Sequence, residues 1–218
     1  MLKTLVCFDF DSTLSMGEGI DDLWVLAGKA TEISTLTAQA MGDSKVRVED
    51  VFALRLELIR PTREMVAQIA ETTRWNIFPW MAALIKKISA TRWHVVHIIS
   101  GGHTNIILPT ARDLGIPPGH VHAVELYFDE AGNYANFDRE CPTTRSGGKI
   151  EIIQQLQLEH PNTQIFMVGD WKTDLETAPH VTQFMNFTGV IDRWLDLTRY
   201  ANTLRVTTVQ ELEDTIFP

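Results

Sequence analysis

Two aspartates at the end of a short apolar run are the residues of this chain that most clearly invite chemistry. Asp9 and Asp11 closely follow the run Leu5–Phe8, whose β-branched and aromatic content predicts a buried strand. Two carboxylates this close repel each other unless a cation or a proton lies with them. The pair therefore indicates a site for a hard divalent ion such as Mg²⁺, a nucleophile that forms an aspartyl-phosphate, or only a turn in which the side chains cap backbone amides.

Ser100, Gly101 and Gly102 follow a second apolar run, Val95–Ile99. Glycines let backbone amides approach an anion closely, and the serine hydroxyl adds a further donor. The segment therefore predicts an anion-binding turn, although an ordinary turn between a strand and a helix has the same composition.

A lysine and three further polar residues complete this pattern. Lys149 follows a pair of glycines where a helix begins, at the positive end of the helix dipole. That position suits a lysine that faces a phosphate, and it also suits a solvated lysine. Asp170 follows a third apolar run and could bind a metal ion, while Thr173 or Asp174 could cap the next helix.

The apolar runs and the helical periodicity between them predict a doubly wound α/β fold with a mainly parallel sheet. The third run spans Ile165–Val168, and later candidate strands are Gln183–Phe187 and Leu204–Val206. Continuous apolarity is typical of parallel strands that helices cover on both faces. In such sheets ligands bind beyond the carboxyl ends of the strands, which is where the polar segments lie. Several polar segments at one sheet edge favour a functional site over unrelated turns.

The spacing of the strands is uneven and predicts an insertion. About 90 residues separate the first two runs, against about 30 in an ordinary strand–helix–strand unit. Residues 15–76 have helical patterns, so we expect a helical cap there and an α/β core made of residues 1–14 and 77–218. A smaller insertion at Val124–Phe137, with a turn at residues 130–133, predicts a β-hairpin.

Two charged residues of the predicted cap are candidates for substrate recognition. Arg55 has apolar residues one turn before it and one turn after it on a predicted helix. A guanidinium in such surroundings should have a carboxylate or phosphate partner, unless it extends to solvent. Glu18 begins the first cap helix, where it could bind a cation or simply complement the helix dipole.

The composition limits the partners. The 218 residues include 19 basic and 28 acidic ones, a net charge of −9, so nucleic acid and anionic membranes are poor partners. No apolar stretch approaches the roughly 20 residues of a membrane helix. Two cysteines, Cys7 and Cys141, form no disulfide framework, which is typical of a reducing compartment. We therefore expect a cytoplasmic protein, a monomer or a homodimer, whose ligand is a small molecule.

With these motifs the sequence resembles the haloacid dehalogenase superfamily of phosphohydrolases over nearly the whole chain. The superfamily motifs are matched by Asp9-Phe10-Asp11-Ser12-Thr13-Leu14, Ser100-Gly101-Gly102, Lys149, and Gly169-Asp170 with Thr173-Asp174. Within the superfamily it is most similar to the phosphoserine phosphatases, through Glu18-Gly19-Ile20-Asp21, Leu54–Ile59, Phe137-Asp138 with Pro142-Thr143, and Ser146–Lys149. The resemblance implies a haloacid-dehalogenase-like core with a cap, and Mg²⁺-dependent hydrolysis of O-phospho-L-serine to L-serine and phosphate.

The resemblance also implies roles for the residues of the phosphoryl site. Asp9 would attack phosphorus and form the aspartyl-phosphate, while Asp11 would be the general acid and then the general base. Ser100, the Gly101 amide and Lys149 would bind the phosphate oxygens as charge redistributes in the transition state.

The metal ion that the resemblance implies is Mg²⁺. Asp9, Asp170 and the backbone carbonyl of Asp11 would hold it, and its charge would screen the nucleophile from the phosphate. Asp174 would orient Lys149 or a metal-bound water.

Three residues are implied to bind the rest of the substrate. Glu18 would meet the ammonium group, Arg55 would meet the carboxylate, and Thr173 would donate a hydrogen bond. Closure of the cap would then exclude water until the leaving group has left.

Three positions depart from the family pattern, and each could reshape the pocket. Val48 stands where a Phe often packs on the substrate, His103 where a Phe is usual, and Trp171 where a small residue is usual. Two alternatives to phosphoserine hydrolysis follow: a phosphatase or phosphotransferase for another small phosphate ester, and a phosphate-binding protein without catalysis. The intact nucleophile, acid, lysine and metal ligands argue against the second alternative.

Overall fold

The computed structural model describes residues 4–29 and 48–218 of the chain. The central feature is a six-stranded sheet whose strands are all parallel, in the order β3-β2-β1-β6-β7-β8, beside an antiparallel hairpin of β4 and β5. The strands are β1 (Thr4–Phe8), β2 (His94–His103), β3 (Val121–Val124), β4 (Leu126–Phe128), β5 (Tyr134–Phe137), β6 (Gln164–Gly169), β7 (Gln183–Phe187) and β8 (Thr203–Val206). The α/β fold with a parallel sheet, predicted from the sequence, is confirmed.

Helices cover the sheet and fill the long connection after β1. Those in the described residues are α1 (Gly19–Leu26), α2 (Val48–Ile59), α3 (Arg63–Trp75), α4 (Met81–Ser89), α5 (Thr104–Asp113), α6 (Gly148–Glu159), α7 (Lys172–Leu175) and α8 (Val209–Ile216). The first three lie between β1 and β2, where the sequence predicts inserted helices. None of the helices in residues 4–29 and 48–218 combines the length and apolarity needed to cross a bilayer.

The register of the central strands decides which residues meet at the sheet edge. Phe8 at the end of β1 lies opposite Ile98 of β2 on one side and Val168 of β6 on the other. Because the strands are parallel, the residues that follow these three positions emerge at the same edge. The sheet also changes winding direction at β1, which is the place where open α/β sheets bind ligands.

Alternate side chains of β1 enter two different apolar layers. Val6 and Phe8 pack with residues of α4, α5 and α8, whereas Leu5 and Cys7 pack with residues of α6. All four are fully buried. The unbroken apolar run seen in the sequence is thus a strand covered on both faces, as expected for a parallel sheet.

A third apolar cluster joins α1, α2 and α3 to the hairpin. It contains Leu23 and Trp24 of α1, Leu56 of α2, and Tyr134 and Phe137 of β5. The sequence predicts the cap helices and the hairpin as separate insertions. In the folded chain they share one core, because each presents a single apolar face that the other covers.

The two connections between the cap helices and the sheet run side by side. Ser15 and Ile77 form an isolated antiparallel bridge, and Met16 N donates to Asn76 O at 2.9 Å. Phe78 N donates to Leu14 O at 2.8 Å on the other side of that bridge. Paired linkers constrain how α1 and α3 can move relative to the sheet.

Two element boundaries differ from the sequence prediction, and one strand was not predicted. β2 continues to His103 instead of ending at Ile99, because pairing with β3 resumes after an irregular stretch between those residues. β3 has no counterpart in the prediction; as an edge strand it is only partly buried and lacks a continuous apolar run. α3 extends to Trp75, whereas the sequence pattern predicts a helix over Thr62–Thr72.

Two leucines of α2 test the shared core of cap helices and hairpin. Leu56 is 0% exposed, whereas Leu54, on the same helix, is 46% exposed. Leu56→Ala should lower the free energy of unfolding by about 2 to 5 kcal/mol, because it removes buried methyl groups and leaves a cavity. Leu54→Ala should lower it by less than about 1 kcal/mol. Urea unfolding of both variants checks this, and equal losses would contradict the packing of α2.

Candidate active site

The predicted site residues meet beyond β1, β2 and β6. Asp9 comes directly after β1, Ser100 lies near the end of β2, and Asp170 directly follows β6. All three side chains are buried. Thr13 Oγ1 donates to Asp170 Oδ1 at 3.3 Å, which links the turn after β1 to the end of β6. The sheet edge therefore assembles three of the four polar segments found in the sequence.

Lys149 brings the fourth segment to this edge. Its ammonium lies 3.0 Å from Asp9 Oδ1 and 2.5 Å from Asp174 Oδ1, and the side chain is buried. Burial by itself lowers the pKa of Lys149, but the charges of Asp174 and Asp9 outweigh burial and raise the pKa above its usual value. A permanent positive charge is thus held beside Asp9, so the solvated-lysine alternative is excluded.

The start of α6 is held tightly, which places Lys149. A Cβ on Gly148 would lie 1.7 Å from the Pro142 carbonyl oxygen, so only glycine allows this approach. Glu176 accepts hydrogen bonds from Ser146 Oγ and from Gly147 N, both at 2.9 Å. Gly148 therefore serves close packing at the helix start, whereas Gly147 has a left-handed backbone conformation, with φ of 76°.

Asp11 has the environment of a carboxylic acid rather than a carboxylate. Burial, followed by the nearby charges of Glu18 and Asp9, raises the pKa of Asp11 well above its usual range. Gly19 N donates to Asp11 Oδ1 at 3.2 Å and orients the group. The proton retained in this way can be given to a leaving group.

The segment after the second apolar run is arranged around its serine. Ser100 Oγ accepts a hydrogen bond from Gly102 N at 2.9 Å and is almost completely buried. The backbone at Gly102 lies close to Asp11, since a Cβ on Gly102 would be only 2.9 Å from Asp11 Oδ2. Both features suit a segment that receives an anion beside Asp11.

A hard divalent cation fits the acidic part of the site. Asp9, Asp170 and Asp174 each offer an oxygen, and these oxygens lie within 4.8 Å of one another. Such all-oxygen donor sets suit Mg²⁺. Asp174 already accepts from Lys149 Nζ with Oδ1 and from Trp171 N at 3.0 Å with Oδ2. Asp170 likewise accepts from Thr13 Oγ1 and Arg193 Nε, so all three carboxylates combine a place in this donor set with protein hydrogen bonds.

The two cap candidates lie beside the site and beside each other. Glu18 Oε1 accepts from Ser12 Oγ at 2.7 Å. The Arg55 guanidinium lies 5.0 Å from the ring centroid of Trp24. Burial lowers the pKa of Arg55, while the charges of Asp21 and Glu18 oppose that shift. Arg55 thus has the carboxylate neighbours that its apolar surroundings in the sequence required.

Arg193 is a site residue that the sequence patterns do not predict. Its Nε lies 2.5 Å from Asp170 Oδ2 and its Nη2 lies 2.5 Å from Glu18 Oε1. Burial raises the pKa of Asp170 to about 6, although the hydrogen bond from Arg193 opposes the rise. Arg193 lies in the irregular connection after β7, where no local pattern marks it. The sequence indicated a further cation only indirectly, because it predicts several carboxylates at one sheet edge.

The remaining predicted positions are placed as follows. Thr173 lies in α7, half-buried, one residue before Asp174. His103 is buried, and its ring lies edge-on to Phe52 of α2 at 5.7 Å between centroids. The side chain of Val48 lies outside the described part of the structure. His103 therefore packs as an aromatic ring between sheet and cap, in the position where the family usually has Phe.

Curated relatives of the chain are phosphoserine phosphatases, although no protein-family model matches it. The enzyme of Drosophila melanogaster is 37% identical over 190 residues, which cover 87% of this chain and 70% of the relative. The enzyme of Bos taurus is 37% identical over 188 residues, 86% of this chain and 83% of the relative. The chloroplastic enzyme of Arabidopsis thaliana is 39% identical over 171 residues, 78% of this chain and 57% of the relative.

Solved structures show the same fold. A phosphoserine phosphohydrolase-like protein from Francisella tularensis has a TM-score of 0.81 at 22% identity and covers 99% of this chain and 100% of its own. A phospho-aspartyl intermediate analogue of phosphoserine phosphatase has a TM-score of 0.77 at 23% identity, covering 99% of both chains.

The environment of His103 predicts a pH-dependent contribution to stability. Burial lowers the pKa of His103 to about 4, below the value near 6.5 of an unfolded chain. The neutral ring therefore stabilises the fold above pH 6.5, and this stability is lost as the pH falls toward 4. When the pH is lowered from 7 to 4, the free energy of unfolding of the parent chain should fall by up to about 3 kcal/mol more than that of His103→Phe.

Urea unfolding at several pH values checks this expectation. His180→Phe is the control, because His180 is a partly exposed histidine on the short helix Ala178–His180. Parallel pH curves for the parent chain and His103→Phe would contradict the assigned burial of a neutral ring.

Proposed function

This chain belongs to the phosphoserine phosphatase family, and we propose that it hydrolyses O-phospho-L-serine to L-serine and phosphate in the presence of Mg²⁺. The observation that carries the proposal is the buried contact of Lys149 with Asp9, next to Asp170 and to Asp11, whose pKa is raised by burial. A nucleophile, an acid, a fixed cation and metal ligands at one sheet edge are what phosphoryl transfer requires.

Asp9 is the proposed nucleophile. Its Oδ1 accepts from Phe10 N at 2.7 Å and contacts Lys149, and both interactions fix the carboxylate. Since the two donors engage Oδ1, we assign the attack to Oδ2. A bond forms between that oxygen and phosphorus while the ester bond between phosphorus and the serine oxygen breaks, which produces the aspartyl-phosphate.

Asp11 is the proposed general acid and base. The proton that its raised pKa retains passes to the leaving serine oxygen. Asp11 then takes a proton from the water that attacks the aspartyl-phosphate, so phosphate leaves and Asp9 is regenerated. The residue returns to its protonated form, and the cycle balances.

Lys149, Ser100 and the Gly101 amide are the proposed phosphate ligands. Lys149 is held at its position by Asp174, which also accepts from the backbone of Trp171. A fixed cation needs no reorganisation when negative charge shifts to the phosphate oxygens in the transition state.

Asp9 and Asp170, together with the backbone carbonyl of Asp11, would hold Mg²⁺. Bound there, the ion would neutralise charge between nucleophile and phosphate. The all-carboxylate donor set supports a hard cation of this kind.

Glu18, Arg55 and Thr173 are the proposed ligands of the amino acid part. Glu18 lies within reach of the phosphoryl site through Ser12, and Arg55 supplies the cation for a carboxylate. We propose residues 15–76 as a cap over a core of residues 1–14 and 77–218, closing on the bound substrate.

Compartment and assembly are part of the proposal. Cys7 and Cys141 are free thiols, which supports a reducing compartment, the cytoplasm. We propose a monomer or a homodimer.

Phosphate release from a panel of esters tests the proposed substrate. With Mg²⁺, phosphoserine should be hydrolysed at least about tenfold more efficiently than phosphoethanolamine or an aryl phosphate, and without a divalent ion activity should be lost. Arg55→Ala should reduce kcat/KM for phosphoserine by about tenfold or more and spare phosphoethanolamine, which has no carboxylate. Equal turnover of all esters would support another small phosphate ester as substrate. An Arg55→Ala variant that keeps the phosphoserine preference would remove Arg55 from the proposed carboxylate site.

The role of Asp11 predicts an effect that depends on the leaving group. Asp11→Asn should slow the first turnover of phosphoserine by about 10²-fold or more, because an alkoxide leaves poorly without a proton. First-turnover release of p-nitrophenol from its phosphate should fall much less. Rapid-quench measurement of leaving-group release separates this step from the later hydrolysis. An equal loss for both esters would assign the proton to another group.

A further inference from the structure

Arg193 connects two carboxylates that belong to different parts of the site. Its Nε donates to Asp170 Oδ2 and its Nη2 donates to Glu18 Oε1, both at 2.5 Å. Nη2 also lies 3.4 Å from Ser12 Oγ. A planar guanidinium can satisfy two carboxylates at once through different N–H groups held in a fixed geometry. The residue thus ties the turn after β1 to the end of β6.

The turn that carries Arg193 is itself anchored. Trp194 has a left-handed backbone conformation, with φ of 54°, and its N–H donates to Asp192 Oδ1 at 2.9 Å. Asp192 Oδ2 accepts from Arg205 Nη1, on β8, at 2.5 Å. Asp192 is therefore bonded to β8 and Trp194 to Asp192, which restricts the backbone that carries Arg193.

Trp171 supports the guanidinium from one side. The Cζ atom of Arg193 lies 4.5 Å from the centroid of the Trp171 ring, the geometry of a cation–π contact. The large side chain at position 171, where the family has a small residue, thus has a defined partner. A small residue there would leave this face of Arg193 uncovered.

We propose that Arg193, supported by Trp171, is a positioning residue that orients Glu18 for the ammonium group of the substrate. Glu18 Oε1 accepts from both Ser12 Oγ and Arg193 Nη2, which fixes the plane of the carboxylate. With that oxygen engaged, Oε2 is the oxygen presented to the ammonium. This inference rests on the proposed function, in which Glu18 recognises the amino group, and it makes Arg193 a determinant of substrate preference.

A matched pair of substrates isolates this role. O-phospho-L-serine and its deamino analogue, 3-(phosphonooxy)propanoate, differ only at the amino group. Arg193→Met should lower kcat/KM for phosphoserine by about tenfold, mainly through KM, and lower it by less than about threefold for the analogue. Arg199→Met is the control, because Arg199 is an exposed arginine in the same connection and should leave both values unchanged.

Two further variants separate positioning from general damage to the site. Trp171→Phe keeps an aromatic face and should retain most of the preference for phosphoserine over the analogue. Trp171→Ala should reduce that preference, as Arg193→Met does. In a Glu18→Gln background, Arg193→Met should have little further effect on the ratio of kcat/KM for phosphoserine to kcat/KM for the analogue, since Arg193 acts through Glu18.

The outcomes are distinguishable. A loss that is equal for both substrates, or an additive effect in the Glu18→Gln background, would show that Arg193 acts through Asp170 or the fold, and would overturn the inference alone. If the parent enzyme prefers phosphoserine and the Arg193→Met variant keeps this preference, the inference alone would also be overturned. A parent enzyme with no preference between the two substrates would overturn the proposed function, and the inference with it.

Discussion

Crowding of carboxylates at one edge of the sheet is the constraint on which the site depends. Asp9, Asp11, Asp170 and Asp174 are buried or nearly so at that edge, with Glu18 beside them. Such a group would be strongly destabilising without compensation. The chain provides it in three forms: the ammonium of Lys149 between Asp9 and Asp174, the guanidinium of Arg193 between Glu18 and Asp170, and a raised pKa of Asp11, which favours the neutral form of that group. A divalent cation between Asp9 and Asp170 would add a fourth.

The compensating charges come from distant parts of the chain, and this explains much of the architecture. Lys149 is carried by the first turn of α6, whose start is pressed against the Pro142 carbonyl and held by Glu176. Arg193 arrives from the connection after β7. Both reach Asp9 and Asp170 because a parallel sheet with β1 at its centre sends all strand ends to the same side. Formation of the sheet therefore brings these cations and the carboxylates of its edge together.

Two departures from the family pattern have physical counterparts near this edge. His103 is neutral and packs edge-on against Phe52, so it fills the volume of an aromatic residue between sheet and cap. Trp171 covers one face of the guanidinium that contacts Glu18 and Asp170. The first substitution preserves packing, whereas the second adds an interaction that a small residue could not make. Substrate preference is thus expected to follow position 171 more closely than position 103.

The sequence alone determined most of the strands and helices, and it predicted that Asp9, Ser100, Lys149 and Asp170 meet at one sheet edge. These features depend on local patterns: unbroken apolarity marks strands buried on both faces, and turn residues follow directly after them. The tertiary structure decided what no local pattern encodes. Arg193 lies 175 residues from its partner Glu18, and the cap helices and hairpin share a core although a long stretch of chain separates them. Such contacts depend on which strands are neighbours and on their register, and those are properties of the whole sheet.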